Sequence, residues 1–252
     1  MDVFRFYAPE LSRQAAEGAR IQLPEDQAHH ARTVLRLEAG VAVVVFDGRG
    51  AWAPGVIARG GREGISVCTS AAVTVDPRPQ PMLTLATAVP KGERAEWLIE
   101  QASQLNVAQV QFVACARSVV KPHEGGHKME KWRRLAVESA KQCGRTHVLR
   151  ILAPAPFAVV AAPGPRPETA RLLWLDPGSG GMTVAEALAG MKEDGVTAFI
   201  GPEGGWSEDE RHCLEGLAGR GGIRRVRLTA TVLRIETACA ALAAVVMSRG
   251  VL

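Results

Sequence analysis

Three prolines in five positions, within Val75–Pro81 (VDPRPQP), set the strongest limit on how this chain folds. Proline fixes its own φ and lacks the N–H that a helix or a strand ladder needs, so neither element runs through such a stretch. The chain is thereby divided into residues 1–74, a linker at 75–81, and residues 82–252.

The two parts have a different grain. Before the break, short β-rich pieces dominate: VFRFY, VAVVVFDGRG, AWAPGVIA and GISVCTSAAV. Asp47-Gly48 and Arg49-Gly50 read as a hairpin turn. One helix interrupts them in LPEDQAHHARTVLRL, with Pro24 at the first helical position and acids in the first turn. These features predict a small, mostly β domain. After the break, strand-like and helix-like segments alternate from MLTLATAV to a last helix near Thr237, with a long helix at 127–143. That alternation predicts an α/β domain whose parallel sheet is covered by helices on both faces. The proline-rich passage at 153–167 is expected to be a surface excursion.

Composition narrows the class. With 252 residues, 47% of them hydrophobic, the chain has enough apolar mass for proper cores. No apolar run reaches the roughly 20 residues of a membrane helix, and the start lacks a basic and then apolar leader pattern. Five cysteines without a CxxC pair suit reduced thiols, hence a cytoplasmic protein, and form no metal-like grouping. His29 and His30 are adjacent, so on a helix they point apart and do not share a metal.

Charge is unevenly spread. Residues 1–75 carry eight basic and eight acidic side chains, whereas Arg117–Arg150 holds nine Lys or Arg against three Glu. A local excess of six positive charges suits a phosphate backbone, which makes Arg117, Lys121, Lys128, Lys131, Arg133 and Arg134 candidate contacts to nucleic acid. A solvated helix face is the other reading of the same run.

The stretch AFIGPEGGWSEDE follows a strand and precedes a helix start. Ligands of doubly wound sheets bind beyond the carboxyl ends of strands, where Gly201–Gly205 falls. A phosphate loop would set a Lys beside its glycines; here there is none, and Glu203 would repel an anion. Ser207 and Glu210 have the spacing of a capping box, which satisfies the helix N-terminus internally. The loop therefore suits an uncharged or cationic ligand held by main-chain atoms, or else is a glycine turn that only re-aims the chain. In LTATVLRIETACAALAAVVM, Arg234 and Glu236 precede a helix of small residues, either a core or an interface helix. The two charges are expected to pair with each other or to serve a site.

IGPEGGWSEDE and VLRIETACAAL, in this order near the C-terminus, resemble the two signature motifs of the RsmE family of SPOUT methyltransferases. HHARTVLRLEAGVAVVVFDGRG, VPKGERAEWLIEQASQL, ARSVVK and ESAKQCGR are similar to the same family's pattern, so the resemblance covers the chain. It implies a PUA-like β-barrel followed by an α/β domain with a trefoil knot, acting as a homodimer. It also implies S-adenosylmethionine as cofactor and methylation of uridine N3 in 16S ribosomal RNA of the small ribosomal subunit. The cofactor contacts would correspond to Leu175, Ile200, Gly201, Pro202, Glu203, Gly204, Gly205, Leu228, Thr229 and Leu233. Arg145 and Arg234 are candidates to stabilise charge on the uracil oxygens, and Glu236 to act as base. The chain departs from the family at Thr229 and Thr231, in place of Gly and Arg, and at QLN (104–106), where E-L-G is usual. Thr229 matters most: a β-branched residue does not easily take φ > 0, and its side chain is expected to narrow the cofactor pocket. A non-catalytic RNA-binding or assembly factor of the same fold, or a related methyltransferase for another RNA position, stays open at this point.

Overall fold

The computed structural model describes residues 3–60, 64–120, 126–162, 170–178, 180–191 and 195–250. The chain divides into two compact units. One comprises residues 1–78 with 137–148, the other residues 79–136 with 149–252.

The first unit is built on a mixed sheet: β1 (Phe4–Tyr7), β2 (Arg20–Gln22), β3 (Ala42–Phe46), β4 (Ala51–Gly60), β5 (Gly64–Thr69) and β6 (Thr74–Val75). The path runs β1-β3-β4-β5-β2, with β6 on β4; among the described residues no pairing joins β1 to β2, so the sheet is an open path. The β3–β4 hairpin is shaped by Asp47, whose buried carboxylate accepts hydrogen bonds from the N–H of Arg49 (2.6 Å) and Ala51 (2.9 Å). Gly48 and Gly50 take positive φ, which glycine alone adopts without penalty. Pro24 stands one position earlier than expected and flanks α1 (Glu25–His29), which continues as a π-helical turn at His30–Val34. Phe6, Leu23, Ala31, Val45, Ile57 and Val67 form the core between these elements.

The second unit holds a seven-stranded sheet with every pair parallel. Its strands are β7 (Met82–Thr87), β8 (Gln109–Ala114), β9 (Arg150–Pro156), β10 (Ala170–Leu175), β11 (Met182–Thr183), β12 (Gly195–Ile200) and β13 (Arg224–Arg227), in the order β11-β13-β10-β12-β7-β8-β9. Strands buried on both faces read as continuous apolar runs, and LLW of β10 and AFI of β12 do so. The helices are α2 (Arg94–Gln104), α3 (His127–Cys143, of which residues 137–143 belong to the first unit), α4 (Phe157–Ala161), α5 (Val184–Ala187), α6 (Glu208–Gly219) and α7 (Ile235–Met247). In α7 the small residues Ala238, Cys239 and Ala243 are buried, and the helix packs on α2 and β7, which gives it a core face within the chain.

One expectation needs correction, and one departure from the family pattern finds its reason. The passage from Ala153 is no free excursion: Pro154 and Pro156 lie in β9, the edge strand, where a missing N–H does not interrupt a central ladder. Phe157 then packs on Phe199 and Trp206, and the rest of the passage, 163–167, lies outside the described residues. Asn106 stands where glycine is usual because it ends α2 in the left-handed region (φ 60°), which asparagine tolerates better than other side chains.

Candidate functional site

Three neighbouring strands, β13, β10 and β12, end at one edge of the second unit, and the loops that follow them enclose a cavity of about 190 Å³. Of the expected cofactor contacts, Leu175, Ile200, Gly201, Pro202, Glu203, Gly205, Leu228, Thr229 and Leu233 line it, and Gly204 does not.

The loop after β12 owes its shape to two different glycines. Gly201 lies under the indole of Trp206, and a Cβ there would sit 2.8 Å from Trp206 Cε2. Gly205 has φ 71° and donates its N–H to Pro202 O at 2.8 Å, closing a tight turn. The capping box that follows is present: Ser207 Oγ accepts from Glu210 N (3.2 Å), and Glu210 Oε2 accepts from Ser207 N (2.9 Å). The other oxygen of Glu210 accepts the Ala116 N–H at 2.7 Å, so this buried carboxylate also fastens the turn after β8. Beside it, burial first and then the Glu210 charge push the Cys115 thiol up to about 12, which keeps it protonated and inert at neutral pH.

Thr229 does not carry the strain expected of it. Among the described residues only Arg36 and Asn106 have positive φ without being glycine, and Thr229 Oγ1 donates to Thr231 O at 2.6 Å across the mouth of the third loop.

The electrostatics differ from the sequence expectation. Glu203 is not a lone negative charge: Lys91 Nζ lies 3.5 Å and Arg94 Nη1 3.3 Å from its carboxylate. Asp176, buried at the cavity wall, meets Arg225 at 2.8 Å and Arg211 at 3.4 Å and accepts the Gly178 N–H at 3.0 Å. With its carboxylates countered and Leu175, Ile200, Pro202, Val232 and Ile235 on its walls, the cavity is chiefly an apolar slot framed by main chain. That donor set fits a flat nucleoside held between loops better than it fits a phosphate group.

Arg234 is exposed at the start of α7, whereas Glu236 is 7% exposed in its first turn. The expected pairing between them gives way to another: Glu236 Oε1 faces Arg94 Nε at 3.6 Å. Glu236 Oε2 is buried and has no hydrogen-bond partner among the described residues. Arg94 thus joins two carboxylates far apart in sequence, Glu203 and Glu236. Arg145 belongs to the first unit, and the cavity of the second is lined without it. In the first unit its neighbours are stitched to the β3–β4 turn, with Gly50 N donating to Thr146 O and Val148 N to Gly48 O. Burial lowers the Arg145 guanidinium to about 10, so it is still a cation at neutral pH.

Of the expected nucleic-acid contacts, Arg117, Lys128, Lys131, Arg133 and Arg134 are exposed, and Lys121 lies outside the described residues. Met129, Trp132 and Ala136 form the buried stripe of α3, which leaves these cations on its outer side. Lys128 lies over the Trp132 ring at 5.1 Å, and Lys131 pairs with Glu96 at 2.6 Å. Among the described residues no three His, Cys, Asp or Glu converge as metal ligands, and no helix is long and apolar enough to cross a membrane.

Fold and sequence now define the class. The family model described as an RNA methyltransferase domain matches residues 77–247, and that described as an RNA methyltransferase PUA domain matches residues 23–67. The ribosomal RNA small subunit methyltransferase E of Synechocystis sp. is 30% identical over 223 residues, 87% of this chain and 70% of that protein. Its namesake from Mycobacterium tuberculosis is 31% identical over 236 residues, 88% and 84% of the two chains. Among solved structures, the Neisseria gonorrhoeae enzyme of that name bound to S-adenosyl methionine has a TM-score of 0.83 at 22% identity, over 98% of each chain. A putative methyltransferase from Legionella pneumophila, in complex with the same cofactor, has a TM-score of 0.83 at 25% identity, over 99% of this chain and 98% of its own. The chain belongs to the ribosomal RNA small subunit methyltransferase E family.

Proposed function

We propose that this chain transfers a methyl group from S-adenosylmethionine to N3 of a uridine in 16S ribosomal RNA. The observation that carries the reading is the apolar, main-chain-framed cavity at the ends of β10, β12 and β13, in a family whose named members methylate small-subunit ribosomal RNA. When bound, S-adenosylmethionine supplies an electrophilic methyl group on a sulfonium.

The chain's own residues do the rest. Main-chain groups of the three loops hold the adenosyl part, and the apolar walls keep water from the transfer. Uridine N3 retains its proton at neutral pH and is a poor nucleophile until that proton leaves. Glu236 offers Oε2 as acceptor, since its other oxygen already faces Arg94. Arg234, at the start of α7, provides positive charge toward O2 and O4, where negative charge spreads as N3 loses its proton. Arg117, Lys128, Lys131, Arg133 and Arg134, with Lys121, hold the phosphate backbone, and the first unit positions the RNA.

The finer fold reading, a SPOUT domain with a trefoil knot acting as a cytoplasmic homodimer, is part of the same proposal. Strand order supports the threaded α/β domain alone: β12 lies between β7 and β10, and β13 between β10 and β11, so the last two strands each enter between strands that precede them. Mass-spectrometric mapping of 16S rRNA from cells with and without this protein tests the function. Loss of one N3-methyluridine is expected without it; an unchanged modification map refutes the reading.

A further inference from the structure

Around the tip of the glycine loop, three cations arrive from three elements of the second unit. Lys91 comes from the loop after β7, Arg94 from the first turn of α2, and Arg117 from the turn after β8. Lys91 and Arg94 lie 3.5 and 3.3 Å from the Glu203 carboxylate, and Arg117 Nη1 donates to Gly204 O at 3.5 Å. Glu203 and Glu236 are the carboxylates that pair with these cations, and Glu210, at the same turn as Arg117, is taken up by the N–H groups of Ala116 and Ser207. Among the described residues no carboxylate pairs with Arg117. Lys91 and Arg94 keep 50% and 39% of their side chains exposed, so a charged group in solution can reach them.

We propose that Lys91, Arg94 and Arg117 form a binding site for a backbone phosphate next to the target nucleotide, at the mouth of the cofactor cavity. The proposal rests on the methyl-transfer reading and adds where the RNA chain is pinned. A base presented to the cavity must leave its stack, and its sugar-phosphate linkage is then the part of the RNA nearest the rim. Phosphate contacts fix register without reading sequence, and guanidinium and ammonium groups are the usual donors for them. Glu203 holds Lys91 and Arg94 in place before the RNA arrives. Arg94, through Glu236, links the pinned phosphate to the carboxylate offered to N3.

The test compares wild type with Lys91→Gln, Arg117→Gln and the double variant. Arg94 is left intact because it pairs with the buried Glu236. Binding to undermethylated small ribosomal subunits is measured across a salt series, and S-adenosylmethionine binding by calorimetry. The slope of log affinity against log salt is expected to fall by about 0.7 for each lost contact to single-stranded RNA, hence by about 1.4 in the double variant. Affinity for S-adenosylmethionine is expected to stay within twofold. An unchanged salt slope overturns the proposal. Weaker cofactor binding with an unchanged slope overturns it too, by assigning the cations to the cofactor's carboxylate. A wild type that takes up no S-adenosylmethionine, while the slopes still fall, removes the methyl-transfer reading and keeps the phosphate site.

Discussion

Replacing Gly201, Gly204 and Gly205 one at a time by alanine separates three physical roles that look alike in the sequence. At Gly201 the obstacle is steric: the new Cβ would lie 2.8 Å from Trp206 Cε2 and 3.0 Å from Nε1. Trp206 is 5% exposed and packs against Phe157 with ring centroids 5.4 Å apart, so the indole has little room to retreat. Overpacking of this kind costs about 1–3 kcal/mol. At Gly205 nothing lies within 4 Å, and the obstacle is the backbone at φ 71°, which costs a non-glycine residue roughly 1–2 kcal/mol. At Gly204 the nearest atoms, Arg117 Cβ and O, are 3.4 Å away and φ is ordinary. Gly204→Ala should therefore stay within about 0.5 kcal/mol of wild type. Urea titration gives the three values. At about 2–4 °C per kcal/mol for a chain of this size, the first two substitutions should also lower Tm visibly. Calorimetry should show weaker S-adenosylmethionine binding for Gly201→Ala and Gly205→Ala, whose positions line the cavity, and wild-type binding for Gly204→Ala. A Gly204→Ala variant as unstable as Gly201→Ala would refute the reasoning.

Two further outcomes are expected. Glu210→Ala should destabilise more than Ser207→Ala. The serine change loses one cap bond, about 1 kcal/mol, whereas the glutamate change loses two bonds to a carboxylate, from the N–H groups of Ser207 and Ala116, at about 1 kcal/mol or more each, readable by denaturant titration. Burial, and then Arg145, lower the His147 pKa from 6.5, so below pH 6.5 the unfolded chain binds a proton that the folded one still refuses. Stability should therefore fall as pH drops below 6.5 and be insensitive to this group above it; His147→Gln should flatten that limb in urea titrations at several pH values.

The sheet and the position of its cavity were legible because they follow from local signals. Alternating apolar runs and helix starts marked the strands, and glycine, proline and threonine after three of them marked the loops. The Ser207–Glu210 cap could be read from spacing alone. What escaped depended on approach in space. Glu203 and Arg94 are 109 residues apart, and nothing near either residue announces that Arg94 also reaches Glu236. Lys91 and Arg94 had one visible signal, two cations directly after a strand that ends at the same edge. Arg145 follows α3 without a break in sequence, yet the ladder of bonds from Gly48 and Gly50 to residues 146–148 draws it into the first unit. Thr229 was read by what glycine would have done there, whereas its hydroxyl closes a short turn of its own.

The order of strands in the second unit has a consequence for synthesis. Residues up to 191 supply β7 to β11, but those strands cannot lie side by side as one sheet, because β12 and β13 occupy places between them. A nascent chain released at that point holds two gaps, one between β7 and β10 and one between β10 and β11, rather than a ragged end. Since all three loops of the cavity belong to strands that meet only when those gaps are filled, a half-made chain has no pocket in which to trap the cofactor.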